Sequence, residues 1–443
     1  MFNFKKNNNR ETGFWFKEIV NDTEHISRIC GVLNIKEYLL RKHKVLSRPN
    51  FDFKNEKYIS AKIVLNIISS VINTHVSYLM GNPVSLNGNA NIVSEVNRIY
   101  KQGNYNKTDY EIAKDLYTYN NAFEYIYKNK NNHIQSKIIS NEDSYPVYDD
   151  EGNYTHFIEY WKDANSFDEH YVVYYPHKVE TYINDKLTDE KINLSGLPIH
   201  YSGLSKSAYK QYGEPFVNDL FPLTDAIEQL VSKLDDSVTV HSLNPLGIVT
   251  GKQIKSSVPK EMVGAVLNLD DGNEFKFATA AIDYQSVKLL LDTLWQQFFA
   301  VACVPALHFG QVSVSNVSET SLRFLYAKLD DKARETMITF KEGVLKRFEV
   351  FRKLLLAEGK EFSDSDFCTL DFNFNVNRPV DTISLMNELS LQRNMGAISL
   401  QTIVDKSPSS IDTALEMERI RTERDEGILS GIIIPNYPKP KNE

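Results

Sequence analysis

The chain has 443 residues, of which 42% are hydrophobic and 24% charged, and its formal net charge is −8. This length and apolar content indicate a sizeable core divided among about two or three domains. The acidic balance argues against a protein that grips nucleic acid, which needs a basic face, and three widely separated cysteines (Cys30, Cys303 and Cys368) indicate a reducing compartment, with neither a disulfide framework nor a zinc site.

The first part of the chain is predicted to be helical after a polar start. Residues 1–13 are rich in Asn, which is typical of a disordered segment, and they lack the apolar core of a signal peptide. Apolar residues then recur at steps of three and four, which predicts helices over residues 23–44, 58–79, 91–100 and 109–119. No run of about 18 apolar residues occurs, so the sequence predicts no membrane-spanning helix.

Residues 121–185 change from a helical to an alternating pattern. Turn-forming clusters at 128–132 and 149–153 separate short runs of aromatic and β-branched residues, which predicts antiparallel strands. The predicted strands cover residues 122–128, 133–140, 154–161, 171–175 and 179–183.

Two amphipathic helices flank a compact insertion. The first is predicted over residues 216–243 and the second over 283–303, where Val287, Leu290, Leu291, Leu294, Trp295, Phe298 and Val301 form the stripe. The insertion, residues 244–279, predicts a strand at 246–250 and a hairpin turning at Asp270-Asp271-Gly272.

A short break then leads into a very long helix. Pro305 ends the preceding helix, residues 306–316 are small and mixed, and Ser318 is a candidate N-cap. The helix that follows, residues 318–359, runs for about ten turns, whereas ordinary helices have about three. Taken alone, such a helix is typical of a coiled coil or a bundle.

The C-terminal part is predicted to be one strand followed by short helices. The strand covers residues 367–377 and ends before Pro379. Helices follow at 380–395, 400–406 and 411–426, and a Pro-containing tail is predicted to be unpacked. The elements together indicate an α+β protein.

The sequence carries no strong catalytic or metal-binding motif. Residues 247–253 (GIVTGKQ) fail as a phosphate loop, since three residues separate the glycines and Gln follows the Lys. Residues 149–153 lack the oxygen spacing of a calcium loop. Asp235 and Asp236 can be read as acidic catalytic residues, although a solvated helix face is the simpler interpretation. The pattern therefore argues against an enzyme, with no cofactor and no metal.

Five segments occur in an order that resembles the portal proteins of tailed bacteriophages, in particular the SPP1-type portal family. They are 78–84 (YLMGNPV), 115–127 (DLYTYNNAFEYIY), 213–216 with 223–226 (GEPF and LTDA), 304–309 (VPALHF) and 316–322 (NVSETSL). The resemblance covers roughly residues 45–425. One departure is Glu319-Thr320, where a small residue such as Gly is expected after the Ser.

The resemblance implies a portal-protein fold with a wing, a two-helix stem, a small α/β clip, a long wing helix and a helical crown. The implied layout places the wing at 14–213, stem helices at 214–243 and 283–303, the clip at 244–282, a tunnel loop at 304–317, the long helix and a wing strand at 318–379, the crown at 380–428 and a tail at 429–443.

The resemblance also implies a function without catalysis. Such proteins form a ring, usually of about twelve subunits, at one capsid vertex, where double-stranded DNA passes without sequence specificity during packaging and ejection. The implied partners are terminase, a head-tail adaptor, and the capsid and scaffolding proteins. The implied location is the virion, with assembly in the host bacterial cytoplasm and no membrane partner.

Two sets of site residues follow from this resemblance. The tunnel-loop set that faces DNA is His308, Gln311, Val312, Ser313, Val314, Ser315 and Asn316, although a lone loop histidine is more often simply solvated. The clip set that faces terminase or adaptor is Lys252, Lys255, Lys260 and Glu261, each of which can also be ordinary surface charge. Small uncharged loop residues suit sliding contact, because each neutralised phosphate would add affinity.

Two other functions stay open at this point. The first is a magnesium-dependent enzyme of nucleic-acid metabolism that binds metal through Asp235, Asp236, Asp270 and Asp271. The second is a helical scaffold that oligomerises through residues 318–359 without a central hole. Particle shape and magnesium-dependent activity distinguish the three.

Overall fold

The computed structural model describes residues 14–53, 56–204, 212–239, 246–250, 274–278, 284–306, 319–378, 382–407 and 413–425. The chain divides into two compact units. The first unit comprises residues 1–315 and 324–377, and the second comprises 316–323 and 378–443.

The helices of the first unit lie at both ends of its sequence. They are α1 (Trp15–Val20), α2 (Thr23–Leu39), α3 (Ile67–Met80), α4 (Ala90–Gly103), α5 (Tyr105–Tyr119), α6 (Phe221–Ser237), α7 (Tyr284–Ala302), α8 (Glu319–Leu356, whose first residues belong to the second unit) and α9 (Asp364–Cys368). Single 3₁₀ turns occur at Lys44–Ser47, Asn141–Asp143 and Phe216–Leu220.

The described strands are all antiparallel in their pairing. They are β1 (Phe51–Phe53), β2 (Glu56–Tyr58), β3 (Ser85–Asn87), β4 (Asn121–Lys128), β5 (Ile134–Ile139), β6 (Ser144–Tyr148), β7 (Tyr154–Lys162), β8 (Glu169–Tyr174), β9 (Lys178–Ile183), β10 (Lys186–Ile192), β11 (Ile199–Ser202), β12 (Leu246–Thr250), β13 (Glu274–Ala278) and β14 (Asp371–Asn373).

Two sheets form the β-region. One has five strands in the order β10-β9-β8-β7-β6, and the other has three in the order β11-β4-β5. The turn at 149–153 joins β6 to β7 as predicted, because Asp149 N–H donates to the Asn153 carbonyl and the Asp149 side chain accepts from the turn amides. The five predicted strands are confirmed, whereas β6, β10 and β11 were not predicted.

The helical core lies where α3 packs on α5 and where α8 crosses them. The buried side chains include Val71, Val76 and Leu79 of α3, Ile112 of α5, and the α8 residues Leu329, Phe340, Val344, Phe348, Phe351 and Leu355. Each fully buried apolar side chain of this size contributes about 1.5–3 kcal/mol. The apolar stripe predicted for the long helix is therefore the face that α8 buries within its own subunit.

Several predicted elements were wrong in their bounds. The helix predicted over 23–44 ends at Leu39, and a separate 3₁₀ turn follows at Lys44–Ser47. The helix predicted over 58–79 begins only at Ile67, because the amides of the preceding residues donate to side chains of α6. The helix predicted from 216 opens as a 3₁₀ turn before α6 begins at Phe221. Ser363 caps the short helix α9 by accepting from the Asp366 amide, and this helix takes up the start of the strand predicted over 367–377. Of that predicted strand, the structure has only β14.

The second unit contains three short helices in addition to the start of α8. They are α10 (Thr382–Asn394), α11 (Leu400–Lys406) and α12 (Thr413–Asp425), which confirms the three helices predicted there. Ser399 caps α11 by accepting from the Thr402 amide. None of the helices in the described ranges is long and apolar enough to cross a membrane.

Candidate functional site

The sequence-predicted site residues lie outside the described residues. This applies to the tunnel-loop set (His308, Gln311, Val312, Ser313, Val314, Ser315 and Asn316) and to the clip set (Lys252, Lys255, Lys260 and Glu261). The structure does describe the elements that carry both segments. The insertion lies between α6 and α7, and the loop lies between α7 and α8.

Helices α6 and α7 pack against each other and flank the strand pair β12–β13 in sequence. The register of that pair runs from Leu246 opposite Ala278 to Thr250 opposite Glu274, so both ends of the insertion are held side by side. The strand predicted at 246–250 is confirmed, whereas the hairpin turn predicted at 270–272 lies outside the described residues.

The C-terminal end of α7, where the loop begins, is fixed to α3 by a buried histidine. His75 of α3 places Nε2 2.8 Å from the Ala302 carbonyl oxygen, and its ring stacks on Tyr117 of α5 at 4.9 Å. Burial lowers the pKa of His75 to about 4, so the ring is neutral at pH 7 and its Nε2–H donates to the carbonyl. This bond satisfies one of the free carbonyls at the helix end.

Beyond that bond the chain turns sharply. Cys303 adopts a positive φ of 54°, a backbone conformation that few non-glycine residues take. Val304 and Pro305 are buried directly after it, which anchors the start of the loop in the core. The predicted helix break at Pro305 is therefore confirmed.

The segment between α7 and α8 leads into α8, and a buried charge cluster fixes α8 in place. Arg347 has a fully buried side chain whose Nη1 donates to Asp109 Oδ1 of α5 at 2.6 Å and to the Tyr100 hydroxyl of α4 at 3.0 Å. Its Nε donates to Glu124 Oε2 of β4 at 3.0 Å. The hydroxyl of Tyr201 in β11 donates to the same Glu124 oxygen at 2.6 Å. One cation thus ties α8 to two helices and one sheet.

Burial dominates the electrostatics of this cluster. It raises the pKa of Asp109 to about 6, although the neighbouring Arg347 acts in the opposite direction. At neutral pH the carboxyl is ionised and paired. Nearer the loop, the Tyr78 hydroxyl of α3 donates to Asp330 of α8, and the rings of Tyr78 and Tyr326 stack at 6.0 Å.

Helix α6 is attached through a seam of polar side chains. Glu228, Ser232 and Asp236 lie four residues apart on its buried face and accept from the backbone amides of Leu65 (2.7 Å), Ile63 (3.0 Å) and Ala61 (2.8 Å). Four helical residues rise about 6.0 Å, and two extended residues span about 6.6 Å. The two spacings match, so alternate amides meet successive helical turns.

The seam corrects the interpretation of the acidic pair in α6. Asp236 is buried, not solvated, because its carboxylate pairs with Arg48 Nη2 at 2.8 Å as well as with the Ala61 amide. Asp235 is exposed. Asp270 and Asp271, the other candidate ligands, lie outside the described residues, and no metal-binding group of three His, Cys, Asp or Glu side chains occurs in the part of the chain that is described.

The face of α7 opposite the core is apolar and exposed. On the side away from the buried Phe298 and Ala302, Leu289 is 69% exposed, and Leu290 and Val301 are exposed as well. Lys288 and Asp292 are the two charged residues of this helix. Of the apolar stripe predicted here, Phe298 is fully buried and Leu290 and Val301 are exposed, whereas the other four residues are half-buried.

Sequence reasoning missed the anchoring residues. Arg347 carried a signal, because it stands within the apolar stripe of α8 between Val344 and Phe351. A charge at such a position needs a buried partner. His75 and Glu228 gave no comparable signal, since single polar residues on a helix are usually exposed.

Comparison with known proteins gives one match that spans most of the chain. The model of the family described as "Phage portal protein, SPP1 Gp6-like" matches residues 20–428. No curated protein matches the chain.

Three solved structures of gene transfer agent (GTA) particles contain chains of similar fold. A chain in the neck of an empty particle, computed with C6 symmetry, is 8% identical over 75% of this chain and 86% of its own, with a TM-score of 0.47. A chain in the native virion is 9% identical over 76% and 87%, with a TM-score of 0.45. A chain in the native neck, computed with C12 symmetry, is 9% identical over 77% and 89%, with a TM-score of 0.47. These likenesses are distant, and the assignment rests on the family model.

Proposed function

This chain belongs to the SPP1 Gp6-like family of phage portal proteins, and from that membership we propose that it forms a closed ring of about twelve subunits at one vertex of the capsid. Double-stranded DNA passes through the ring on packaging and ejection, without sequence-specific binding. Terminase docks first, and the head-tail adaptor follows. The subunit has no catalytic activity of its own, and the ring assembles in the host bacterial cytoplasm.

The proposed roles of the segments follow from the family. Helices α6 and α7 form the stem, and the β12–β13 pair belongs to the clip that faces terminase and adaptor. The segment between α7 and α8 is the tunnel loop that meets DNA. The β-sheets with α1–α5 form the wing that α8 crosses, and α10–α12 form the crown.

Two separate apolar surfaces in the first unit support a ring. A subunit of a closed ring contacts its two neighbours through different faces. The outer face of α7 is one such surface. The second lies on α8, where Phe324 (79% exposed), Ile338 and Leu345 point outward at spacings of fourteen and seven residues and thus on one side of the helix.

The charge of the chain also fits a conduit. A net charge of −8 per subunit, repeated around the ring, repels the phosphate backbone. DNA can then slide, because tight binding would add friction with each neutralised phosphate. The observation that carries the whole proposal is nevertheless the family match over residues 20–428.

Negative-stain microscopy with particle-mass measurement tests the ring. The full chain is purified alone and after co-expression with the scaffolding protein of the same phage. We expect rings with a central hole that admits a duplex. A discrete dimer or tetramer without a hole, under both conditions, contradicts the proposal and returns attention to a scaffold or an enzyme.

Matched substitutions test the surface on α7. Leu289→Glu places a charge on the exposed apolar face and is expected to block ring formation, whereas the folded subunit persists. Leu187→Glu is the control, because Leu187 is an exposed leucine of β10. Rings that form equally well in both variants would remove α7 from the interface.

Deletion of residues 312–316 tests the loop. If the loop acts as proposed, the deletion leaves rings intact and impairs the filling of the capsid with DNA.

A further inference from the structure

A small β-hairpin stands apart from the two larger sheets of the first unit. In the described part of the chain, β1 and β2 pair only with each other, with Phe51 opposite Tyr58. The rings of these two residues lie 4.8 Å apart. Phe51 is 38% exposed, and Ile59, which directly follows β2, is 76% exposed. A two-stranded hairpin alone is at best marginally stable in water, so further contacts are needed to cover these apolar side chains.

The base of the hairpin is bonded firmly to the last turn of α6. The Ser60 amide donates to Asn50 Oδ1 at 3.2 Å, which joins the two ends of the hairpin. Arg48 donates to the Ala61 carbonyl at 2.5 Å and to Asp236 Oδ2 of α6 at 2.8 Å. The Ala61 amide donates to the other oxygen of Asp236. The hairpin is therefore held at a fixed place while its apolar side chains face solvent.

This place is level with the N-terminal half of α7. His75 contacts the ring of Phe216, just before α6, at 5.5 Å and the carbonyl of Ala302, at the end of α7, so the two helices run antiparallel. Asp236 lies about 22 Å along α6 from its first residue, and Leu289 lies about 20 Å back along α7 from Ala302. The attachment point of the hairpin and Leu289 are thus at the same level of the helix pair.

The hairpin and α7 lie on different sides of α6. The hairpin and the extended residues that follow it bond to the face that carries Ser232 and Asp236. Leu230 and Leu234 each precede one of these residues by two positions, which is about 200° around the helix. A helix packs on its neighbours through its apolar stripe, and α7 packs on α6. Helix α6 therefore separates the hairpin from α7 within one subunit.

The N-terminal half of α7 is not covered by its own subunit. Every side chain from residue 284 to residue 297 is exposed or half-buried, and the first buried residue of the helix is Phe298. Leu289 and Leu290 are 69% and 50% exposed. Exposed apolar side chains at adjacent positions are typical of a contact surface.

We propose that the β1–β2 hairpin of one subunit packs on the N-terminal half of α7 in the next subunit of the ring, with Phe51 and Ile59 against Leu289 and Leu290. The inference rests on the proposed function, from which it takes the ring and the stem helices that run along its channel. Rotation about the ring axis keeps each surface at its level and brings one side of a subunit against the other side of its neighbour, so the contact joins two different surfaces.

Site-specific photocross-linking of purified rings of the full-length chain tests this contact. The photoreactive residue p-benzoylphenylalanine replaces Gln285, an exposed polar residue in the first turn of α7. We expect irradiation to give covalently linked subunits in which position 285 is joined to residues 48–60 of the neighbour. The same photoreactive residue in place of Leu187, on β10, is the control and should not capture residues 48–60. Rings that give no such cross-link, or a cross-link from position 285 to another segment, overturn the hairpin contact. Failure of the natural chain to form rings contradicts the proposed function itself.

Charge reversal tests the same contact without photochemistry. Ile59→Lys and Leu289→Glu each place one charge in the contact and should each lower the fraction of subunits in rings by about tenfold or more. Both side chains are exposed in the subunit, so circular dichroism should show it folded. The double variant places opposite charges face to face and should recover much of the loss, whereas Leu289→Glu with Leu187→Lys should not. A double variant that is no better than Leu289→Glu alone contradicts the proposal.

Discussion

Replacing Arg347 with methionine tests whether buried charge fixes the long helix. Methionine keeps much of the side-chain volume and removes the cation that pairs with Asp109 at 2.6 Å and with Glu124 at 3.0 Å. Removal of one partner from a buried ion pair costs about 3–5 kcal/mol, because the remaining charge is left uncompensated. We therefore expect the free energy of unfolding of the first unit to fall by about that amount at pH 7.5.

The loss should depend on pH in a defined direction. The pKa of Asp109 is already raised to about 6 by burial, and removal of Arg347 takes away an influence that lowers it. At pH 5 the natural protein already holds a protonated Asp109, so less ion pairing is there to lose. The difference between variant and natural chain should therefore be smaller at pH 5 than at pH 7.5.

Guanidinium unfolding followed by tyrosine and tryptophan fluorescence measures both values. The control is Lys346→Met on the neighbouring residue, whose side chain is exposed and pairs with Glu342 one turn away at 2.7 Å. An exposed helix pair of this kind contributes about 0.3–0.5 kcal/mol. A loss below about 1 kcal/mol for Arg347→Met, or an equal loss at the two pH values, would refute the reasoning.

Two further predictions concern packing and burial. Gly343→Ala should destabilise the first unit by about 1–3 kcal/mol, because the added Cβ would lie 2.1 Å from the buried ring of Tyr201. The control is Gly31→Ala on α2, which has open space around it and should leave stability unchanged or slightly higher. The thermal midpoint measures both effects. Burial raises the pKa of Asp115 to about 7, so the folded state binds more protons than the unfolded chain between about pH 4 and 7 and loses stability as the pH rises through that range. The pKa rises by about three, which at about 1.4 kcal/mol per pH unit corresponds to about 4 kcal/mol, so Asp115→Asn should be more stable than the natural chain by up to that amount at pH 8. The advantage should vanish at pH 4, measured by the guanidinium midpoint, and an advantage that is independent of pH contradicts this.

The sequence predicted those elements whose pattern is local. The burial of one face of α8 follows from an apolar stripe that repeats over its whole length, and α11 was predicted residue for residue. Strand β10 was missed for the complementary reason. Its sequence, KLTDEKI, is polar on both faces, and all seven residues are exposed, so the strand exists through pairing with β9 and not through burial.

The anchors could not be predicted, because they depend on contacts between distant parts of the sequence. Residues 61–65 read as the start of a helix, and nothing nearby indicates that their amides donate to Glu228, Ser232 and Asp236, more than 160 residues further on. The same holds for His75 and Ala302. A local pattern records which face is apolar, whereas the partner of a buried polar group depends on the complete fold.

The residues that attach α6 and α8 to the rest of the subunit are polar, and there is a physical reason for this. Apolar side chains pack with many partners, and alone they allow one helix to slide along another, whereas hydrogen bonds and ion pairs are directional. The charge cluster on α8 and the polar seam on α6 can therefore set the register of these two helices within the subunit. The combined variant Asp109→Asn, Glu124→Gln and Arg347→Met separates register from stability, because it leaves no uncompensated charge and should recover most of the loss caused by Arg347→Met. If register is what the cluster provides, this variant will be stable yet form rings poorly; rings as uniform as those of the natural chain would leave the cluster a purely energetic role.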